Sequence, residues 1–326
     1  MKSIFLTVRK FSKDSAYKST VVILGLNFFI LGVVSIVSFF GSLNPYLELL
    51  SHARHVYFLL FILTTISFII LRQKIMTLIS ACFLLIHACF VVPYYFPVDK
   101  TVHPQRTKIS FLQLNVQGGL NSSFDTTLKL IHKTDPDVVV LTEVTATWVE
   151  QLNKKLKSYP FRIAEPRFGG VALYSRTRLF EPEIKYFDKI KRPRIVTHIK
   201  IDKVPIRVIF AHPVIPLKYE DLRNQELEIL AKEVIGFNGP VVLLGDLNTT
   251  PWSIYFQKLL NDTCLIDSEI GFGIHPTWSS RWLTPVFPID HFLVSKHFKV
   301  IDRKVLPGIK SDHLPVWAVC QLKPKE

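Results

Sequence analysis

The chain has no internal repeat and no low-complexity tract, which excludes solenoid and fibrous architectures. Cysteine is scarce: there are four, none in C-x-x-C spacing, so neither a zinc knuckle nor a disulfide scaffold is indicated. Cys82 and Cys89 lie seven apart in an apolar run and share a helix face. Cys264 and Cys320 are expected as buried free thiols, although an oxidising compartment would permit a bridge between them. No helix-turn-helix signal and no stretch interleaving aromatic with basic residues is present, so base-specific reading of nucleic acid has no support. Acidic residues are nearly missing from the first third. Residues 1–106 hold 10 Lys/Arg and 3 Asp/Glu, while residues 107–326 hold 30 and 23, so each part carries a net +7. Mean hydropathy is nevertheless positive, at +0.27. The apolar excess falls almost wholly in the first part.

That part reads as membrane. Thr20 to Phe40 is an uncharged run long enough to cross ~30 Å of hydrocarbon. Residues 56–71 form a second, shorter run and 75–96 a third, with only Arg72-Gln73-Lys74 between them, as suits a tight helical hairpin. The first run exceeds the apolar stretch of a cleaved signal peptide, and no small-x-small site comes after it. Lys2, Arg9, Lys10, Lys13 and Lys18 precede the first run, and Arg72 and Lys74 separate the last two. The positive-inside rule therefore places the N-terminus in the cytoplasm. Three spans then carry the C-terminal two thirds of the chain to the outer face. The reading is a membrane region over 1–97 (spans 20–40, 56–71 and 75–96), a polar Pro-containing linker over 98–107, and one domain over 108–322. The linker is short enough to keep that domain near the bilayer.

From Lys108 onward, strands are expected near 108–116, 137–143, 170–176, 194–201, 204–212, 240–245, 288–294, 298–306 and 314–322. Amphipathic helices are expected near 123–133, 146–157, 219–235 and 252–260, the third showing an apolar stripe of Leu222, Ile229, Leu230 and Val234. Nine strands exceed one ordinary sheet, and two packed sheets with helices outside fit the layered domains.

Chemistry-bearing residues stand at the strand ends. In Gly245-Asp246-Leu247-Asn248, an Asp and an Asn two apart at the end of an apolar strand point the same way, because strand side chains alternate. A carboxylate able to orient water would then sit beside an amide able to hold it, although both types also shape turns. Asn115 ends one strand, Glu143 comes after the apolar run Val138–Thr142, and His212 comes after Val208–Ala211, ahead of Pro213. Asp290-His291 and Ser311-Asp312-His313 add two acid–imidazole groupings. A carboxylate beside an amide oxygen suits Mg²⁺. His291, pointing away from Asp290, is expected to be structural. His275 could line a cleft or pack in a loop, and Arg176 could face phosphate or solvent. The basic run Lys189, Lys191, Arg192, Arg194 could attract nucleic acid or anionic headgroups, or be a solvated loop.

In this order, LNV (Asn115), TEV (Glu143), GGVALYSR, AHP (His212), GDLNTTP (Asp246, Asn248), IDHFLVS (Asp290) and SDHLPV (Asp312, His313) resemble the endonuclease/exonuclease/phosphatase superfamily. The resemblance covers roughly residues 107–322. It implies an α/β fold, a four-layer αββα sandwich of two packed mixed sheets, with the site at one end. It further implies Glu143 as principal metal ligand, assisted by Asn115 and Asp312. Asp246 would orient or deprotonate the attacking water, and Asn248 would fix water and phosphate. His313, paired with Asp290, would contact a non-bridging oxygen or protonate the leaving group, and His212 would donate from the other side. The implied cofactor is Mg²⁺, with Mn²⁺ able to substitute. The implied substrate is a phosphate ester, either a lipid-linked pyrophosphate or nucleic acid. Spans ahead of such a domain resemble a membrane-anchored bacterial subgroup, which implies a multi-pass protein of the inner membrane with an extracytoplasmic domain. One departure is Gln117, where many nucleases of the family carry an acid, and it argues against a second metal.

Overall fold

The computed structural model describes residues 2–187, 189–278 and 286–324, in two compact units, Met1–Val92 and Pro93–Glu326. The first is helical: α1 (Lys2–Val37), α2 (Pro45–Ser51), α3 (Arg54–Ile70) and α4 (Lys74–Val91). The segments Ser15–Phe40 and Lys74–Tyr95 are long and apolar enough to cross a membrane; α2 and α3, bent by 55°, make a third candidate if they form one span. Asn44 caps α2 by accepting from Tyr46 N, with Pro45 in the first turn where its missing N–H costs nothing. The helices pack through rings, Phe61 stacked on Phe83 at 5.0 Å and Phe28 edge-on to Phe68 at 5.3 Å. Polar side chains within this unit pair with one another, as Ser35 with His87 and Thr64 with Ser80.

The second unit has strands β1 (Lys108–Asn115), β2 (Val138–Thr142), β3 (Phe161–Glu165), β4 (Val171–Ser175), β5 (Phe180–Tyr186), β6 (Pro193–Ile201), β7 (Val204–Ala211), β8 (Val241–Asp246), β9 (Ile266–Asp267), β10 (Asp290–Val294), β11 (Phe298–Val305) and β12 (Val316–Leu322). Its helices are α5 (Phe124–Thr134), α6 (Ala146–Lys155), α7 (Pro216–Ile235) and α8 (Ile254–Thr263). Two six-stranded sheets result, ordered β11-β12-β1-β2-β4-β3 and β5-β6-β7-β8-β10-β9. Each is antiparallel except for one central parallel pair, β1–β2 and β7–β8.

Apolar side chains of alternate parity explain the layering. Ile109, Phe111, Val138 and Val140 of one sheet meet Ile206, Val208, Phe210 and Val242 of the other. The opposite parity of the first sheet, Leu112, Leu114, Val139 and Leu141, packs against Ile131, Trp148 and Leu152 of α5 and α6. Ile209, Leu243 and Leu293 of the second sheet pack against Leu227, Leu230 and Phe256 of α7 and α8. The central strands are thus buried on both faces, which is why they read as unbroken apolar runs. The order helix, sheet, sheet, helix is the four-layer sandwich expected.

The stretch 98–107 is hydrogen-bonded to this unit. Lys299 pairs with Asp99, His103 N donates to Gln321 Oε1 at 2.9 Å, and Gln321 Nε2 donates to His103 O and Arg106 O. All four cysteines are free, Cys264 exposed and Cys320 buried.

Candidate active site

Both parallel pairs deliver their ends to one edge of the sandwich. Asn115, last in β1, reaches Glu143 just past β2 (Nδ2 to Oε1, 2.9 Å) and Asp246, last in β8 (Nδ2 to Oδ2, 3.1 Å). His212, one residue beyond β7, sets Nε2 3.4 Å from Asp246 Oδ2 and 3.9 Å from Glu143 Oε1. Strand β10 runs antiparallel to β8 with Asp290 opposite Asp246, and directly opposed residues share a face. Asp290 Oδ2 lies 2.7 Å from His313 Nδ1, and His313 Nε2 lies 3.6 Å from Asp246 Oδ2. Two acid–imidazole clusters result, Glu143/His212/Asp246 and Asp246/Asp290/His313, each with its candidate ligand atoms within 4.8 Å of one another. Asp246 belongs to both.

Local backbone geometry makes this approach possible. Glu143 adopts a left-handed conformation (φ 58°), and Gly118 N donates to its carbonyl at 2.9 Å. A Cβ on Gly118 would fall 2.4 Å from that carbonyl oxygen. Asn248 also turns left-handed (φ 49°), its N–H donating to Asp246 Oδ1 at 3.1 Å and its Nδ2 to Pro213 O at 2.9 Å. The strand ends at Asp246, so the alternation that would aim Asn248 alongside it does not apply. Asn248 instead closes an Asx-type turn, so the turn and the site are one device.

The site's charges are set by one another. Burial alone would raise the Asp246 carboxyl. His313, the His212 hydrogen bond and the Asn248 amide together hold it below the usual carboxylate range, so it is ionised. Burial likewise favours neutral His313, but the carboxylates of Asp290 and Asp246 override it and push the imidazole up to about 10. His313 is therefore a cation at neutral pH. His212 is different, because Arg192 Nη2 lies 3.3 Å from its Nδ1. A guanidinium can only donate, so Nδ1 accepts and the ring proton sits on Nε2. That N–H faces the carboxylates and the space a phosphate oxygen would occupy.

Seven of the eight expected site residues meet here: Asn115, Glu143, His212, Asp246, Asn248, Asp290 and His313. Asp312 stands outside both acid–imidazole clusters, its Oδ1 accepting from Ser311 at 3.4 Å. Asn115 turns its Nδ2 to the two carboxylates and its Oδ1 to Gln117 N, so it braces the acids. His291 is structural as expected: buried, its Nε2 meets Thr249 O at 2.8 Å. Arg176 lies at the opposite edge, paired with Asp135, because β4 runs antiparallel to β2 and carries its C-terminal end away from the site. His275 donates its backbone N–H to Glu269 Oε1 at 2.8 Å.

Three contributors were not singled out by the sequence. Gln113 Nε2 holds Asp290 Oδ1 at 3.1 Å, from a position two residues before Asn115 on the same face. Arg192, expected only within a basic run, turns in beside His212 and donates to Pro213 O at 3.0 Å. Burial lowers its guanidinium, and Asp246 and Glu143 oppose that shift. Arg223, on α7, donates to Asn248 O at 3.0 Å. The period-two parity of Gln113 was a readable signal; nothing in the sequence separated Arg192 from its basic neighbours.

Three carboxylates, Glu143, Asp246 and Asp290, gathered at one sheet edge suit a divalent cation. Glu143 and Asp246 supply hard oxygens of the kind Mg²⁺ and Mn²⁺ take. When bound, such an ion would neutralise phosphate oxygens and lower the pKa of a bound water.

The sequence pattern of the Endonuclease/Exonuclease/phosphatase family matches residues 112–313, and the chain belongs to that family of metal-dependent phosphoesterases and nucleases. No curated protein matches the sequence. Among solved structures, D. rerio TDP2 complexed with a single-strand DNA product is similar at 16% identity and a TM-score of 0.56, covering 66% of this chain and 99% of that one. An endonuclease/exonuclease/phosphatase from Bacteroides vulgatus is similar at 18% identity and a TM-score of 0.57, covering 67% and 100%. A family protein from Bacteroides thetaiotaomicron is similar at 17% identity and 0.56, covering 67% and 96%.

Proposed function

We propose that this chain is a membrane-anchored, Mg²⁺-dependent phosphoesterase that hydrolyses a phosphodiester or pyrophosphate by in-line attack of water, on a lipid-linked phosphate. The observation that carries this reading is the position of Asp246, shared by two acid–imidazole groups at one sheet edge. Asp246 accepts a hydrogen bond from the attacking water and aims it. Its low pKa keeps it an ionised acceptor and a weak ground-state base, so a bound cation would have to supply the lowering of the water's pKa. His212 Nε2–H donates to a non-bridging oxygen. His313, held by Asp290, donates a proton or hydrogen bond to the oxygen that gains charge as the bond breaks.

The anchor supports a lipid substrate, because tethering raises the effective concentration of anything in the same bilayer. The charge pattern of the N-terminal runs supports a bacterial inner-membrane location with the domain outside. A second reading, a tethered nuclease, is favoured by the likeness to TDP2 in complex with single-strand DNA product. The domain's basic balance suits either partner. A non-catalytic scaffold would have no use for the shared carboxylate network.

The test uses the full chain in detergent with Mg²⁺, with and without EDTA, offered a polyprenyl pyrophosphate and plasmid DNA in parallel. EDTA-sensitive phosphate release from the lipid, lost in Asp246→Asn and Glu143→Ala, is expected. Cleavage of DNA alone would replace this reading with the nuclease. Full activity in both variants would sink either.

A further inference from the structure

The edge that carries the active site also carries solvent-exposed apolar side chains, each on a different loop. Leu120, after β1, is 74% exposed; Phe168, between β3 and β4, is 52% exposed; Ile215, after β7, is 54% exposed. Strand registers place all three loops at this edge, since β4 begins with Val171 opposite Thr142 and β7 ends with Ala211 beside the start of β6. Trp278, bridged to His313, adds a partly exposed indole.

These side chains are held outward. Leu120 sits in a tight turn, its N–H donating to Gln117 O at 2.8 Å. Asn121, next in sequence, ties this loop to the one before β12, its Nδ2 donating to Val116 O at 3.0 Å and Ile309 O at 3.3 Å. Phe168 occupies a left-handed conformation (φ 56°) that is costly for an aromatic residue. Arg167 beside it is fixed by Glu165 through two hydrogen bonds of 2.9 and 2.8 Å. Buried elsewhere, these apolar groups would stabilise the fold; here they face water around a charged cleft.

Exposed lysines lie on loops of the same edge. Lys189 and Lys191 lie on the loop before β6 and Lys310 on the loop before β12, and none forms an ion pair among the described residues. Apolar and aromatic tips ringed by unpaired lysines match the interface of an anionic bilayer, where rings sit at headgroup depth and lysines meet phosphates. A single-strand nucleic-acid platform needs π faces in succession. Leu120 and Ile215 have none.

We infer that this rim is a lipid-docking surface, which seats the catalytic edge on an anionic bilayer so that a headgroup phosphate enters the cleft without leaving the interface. The inference rests on the reading of the chain as an anchored lipid-phosphate hydrolase, and it names the surface through which that substrate is reached.

The experiment measures depth rather than turnover, so its failure is distinct from failure of the catalytic reading. The full chain, with Cys82, Cys89 and Cys264 replaced by serine, carries a nitroxide at Leu120→Cys or Phe168→Cys in nanodiscs of phosphatidylcholine and phosphatidylglycerol. Lys155→Cys, exposed at the end of α6, is the reference. Both rim labels are expected to collide with a water-soluble nickel chelate several-fold less often than the reference, and with oxygen more often. Equal nickel access at all three positions would overturn the proposal. So would shielding of the rim labels by an added single-stranded oligonucleotide and not by the bilayer.

Discussion

Asp246 and Glu226 show how one side-chain type takes opposite charge behaviour from its surroundings. Asp246 is buried among cations and donors and stays ionised, so Asp246→Asn keeps the volume and removes the acceptor that aims water. A loss of about 10²–10⁴ in kcat with unchanged near-ultraviolet circular dichroism is expected. Glu226, on α7, accepts one backbone hydrogen bond from Val214 at 2.7 Å, and burial pushes its carboxyl up to about 7. A raised carboxyl favours the fold while it is protonated. That stability is complete below the unfolded value near 4.5 and is lost as pH rises through about 7, by at most about 3 kcal/mol. Glu226→Gln should flatten the fall in melting temperature between pH 5 and 8, and an unchanged pH profile in the variant would refute this. Arg192 lies beyond what either motif or charge counting reveals. Its contact with His212 Nδ1 exists only because the loop before β6 folds back over the end of β7.

Among the elements, the parallel pair β7–β8 sets the spacing of the site, and Gly245 makes its close approach possible. At φ 147°, a Cβ there would lie 1.8 Å from Ala211 O. Gly245→Ala is therefore expected to separate β7 from β8 and cost several kcal/mol of stability, whereas Gly119→Ala, with nothing within 4 Å of its Cβ, should be nearly neutral. Thermal melts of the two variants side by side check this. Element legibility obeys the same physics. The nine expected strands and four helices are all present, because burial on one or both faces wrote apolar periodicity into them. The three additional strands, β3, β5 and β9, are each the outermost of a sheet. An outermost strand has a neighbour on one side only, and β5 is mostly solvated, with a register shift between Phe180 and Glu183. Its sequence has little reason to alternate.

For the whole molecule, the concentration of carboxylates at one edge is a liability that a bound cation relieves. Removal of divalent metal should abolish hydrolysis and leave the sheets intact, with activity restored by Mg²⁺ or Mn²⁺. Metal should also raise the melting temperature of the wild type more than that of Glu143→Ala, because only a ligand that binds the folded state stabilises it. Equal shifts in both proteins would show that Glu143 takes no part in binding.

The helical N-terminal part, the four-layer class and seven of the residues that gather at the sheet edge were all legible along the chain. Apolar run length, strand parity and the order of short motifs are all properties of neighbours along the chain. It took the folded chain to show that Asp246 joins two imidazoles, that Asn115 braces carboxylates through its nitrogen, and that Asp312 is in neither acid–imidazole cluster. The same holds for Arg176, which lies at the far edge, and for Arg192, which turns inward. Those outcomes depend on strand direction and on which loops meet across two sheets, and contacts between residues tens to hundreds of positions apart leave no periodic trace in the chain.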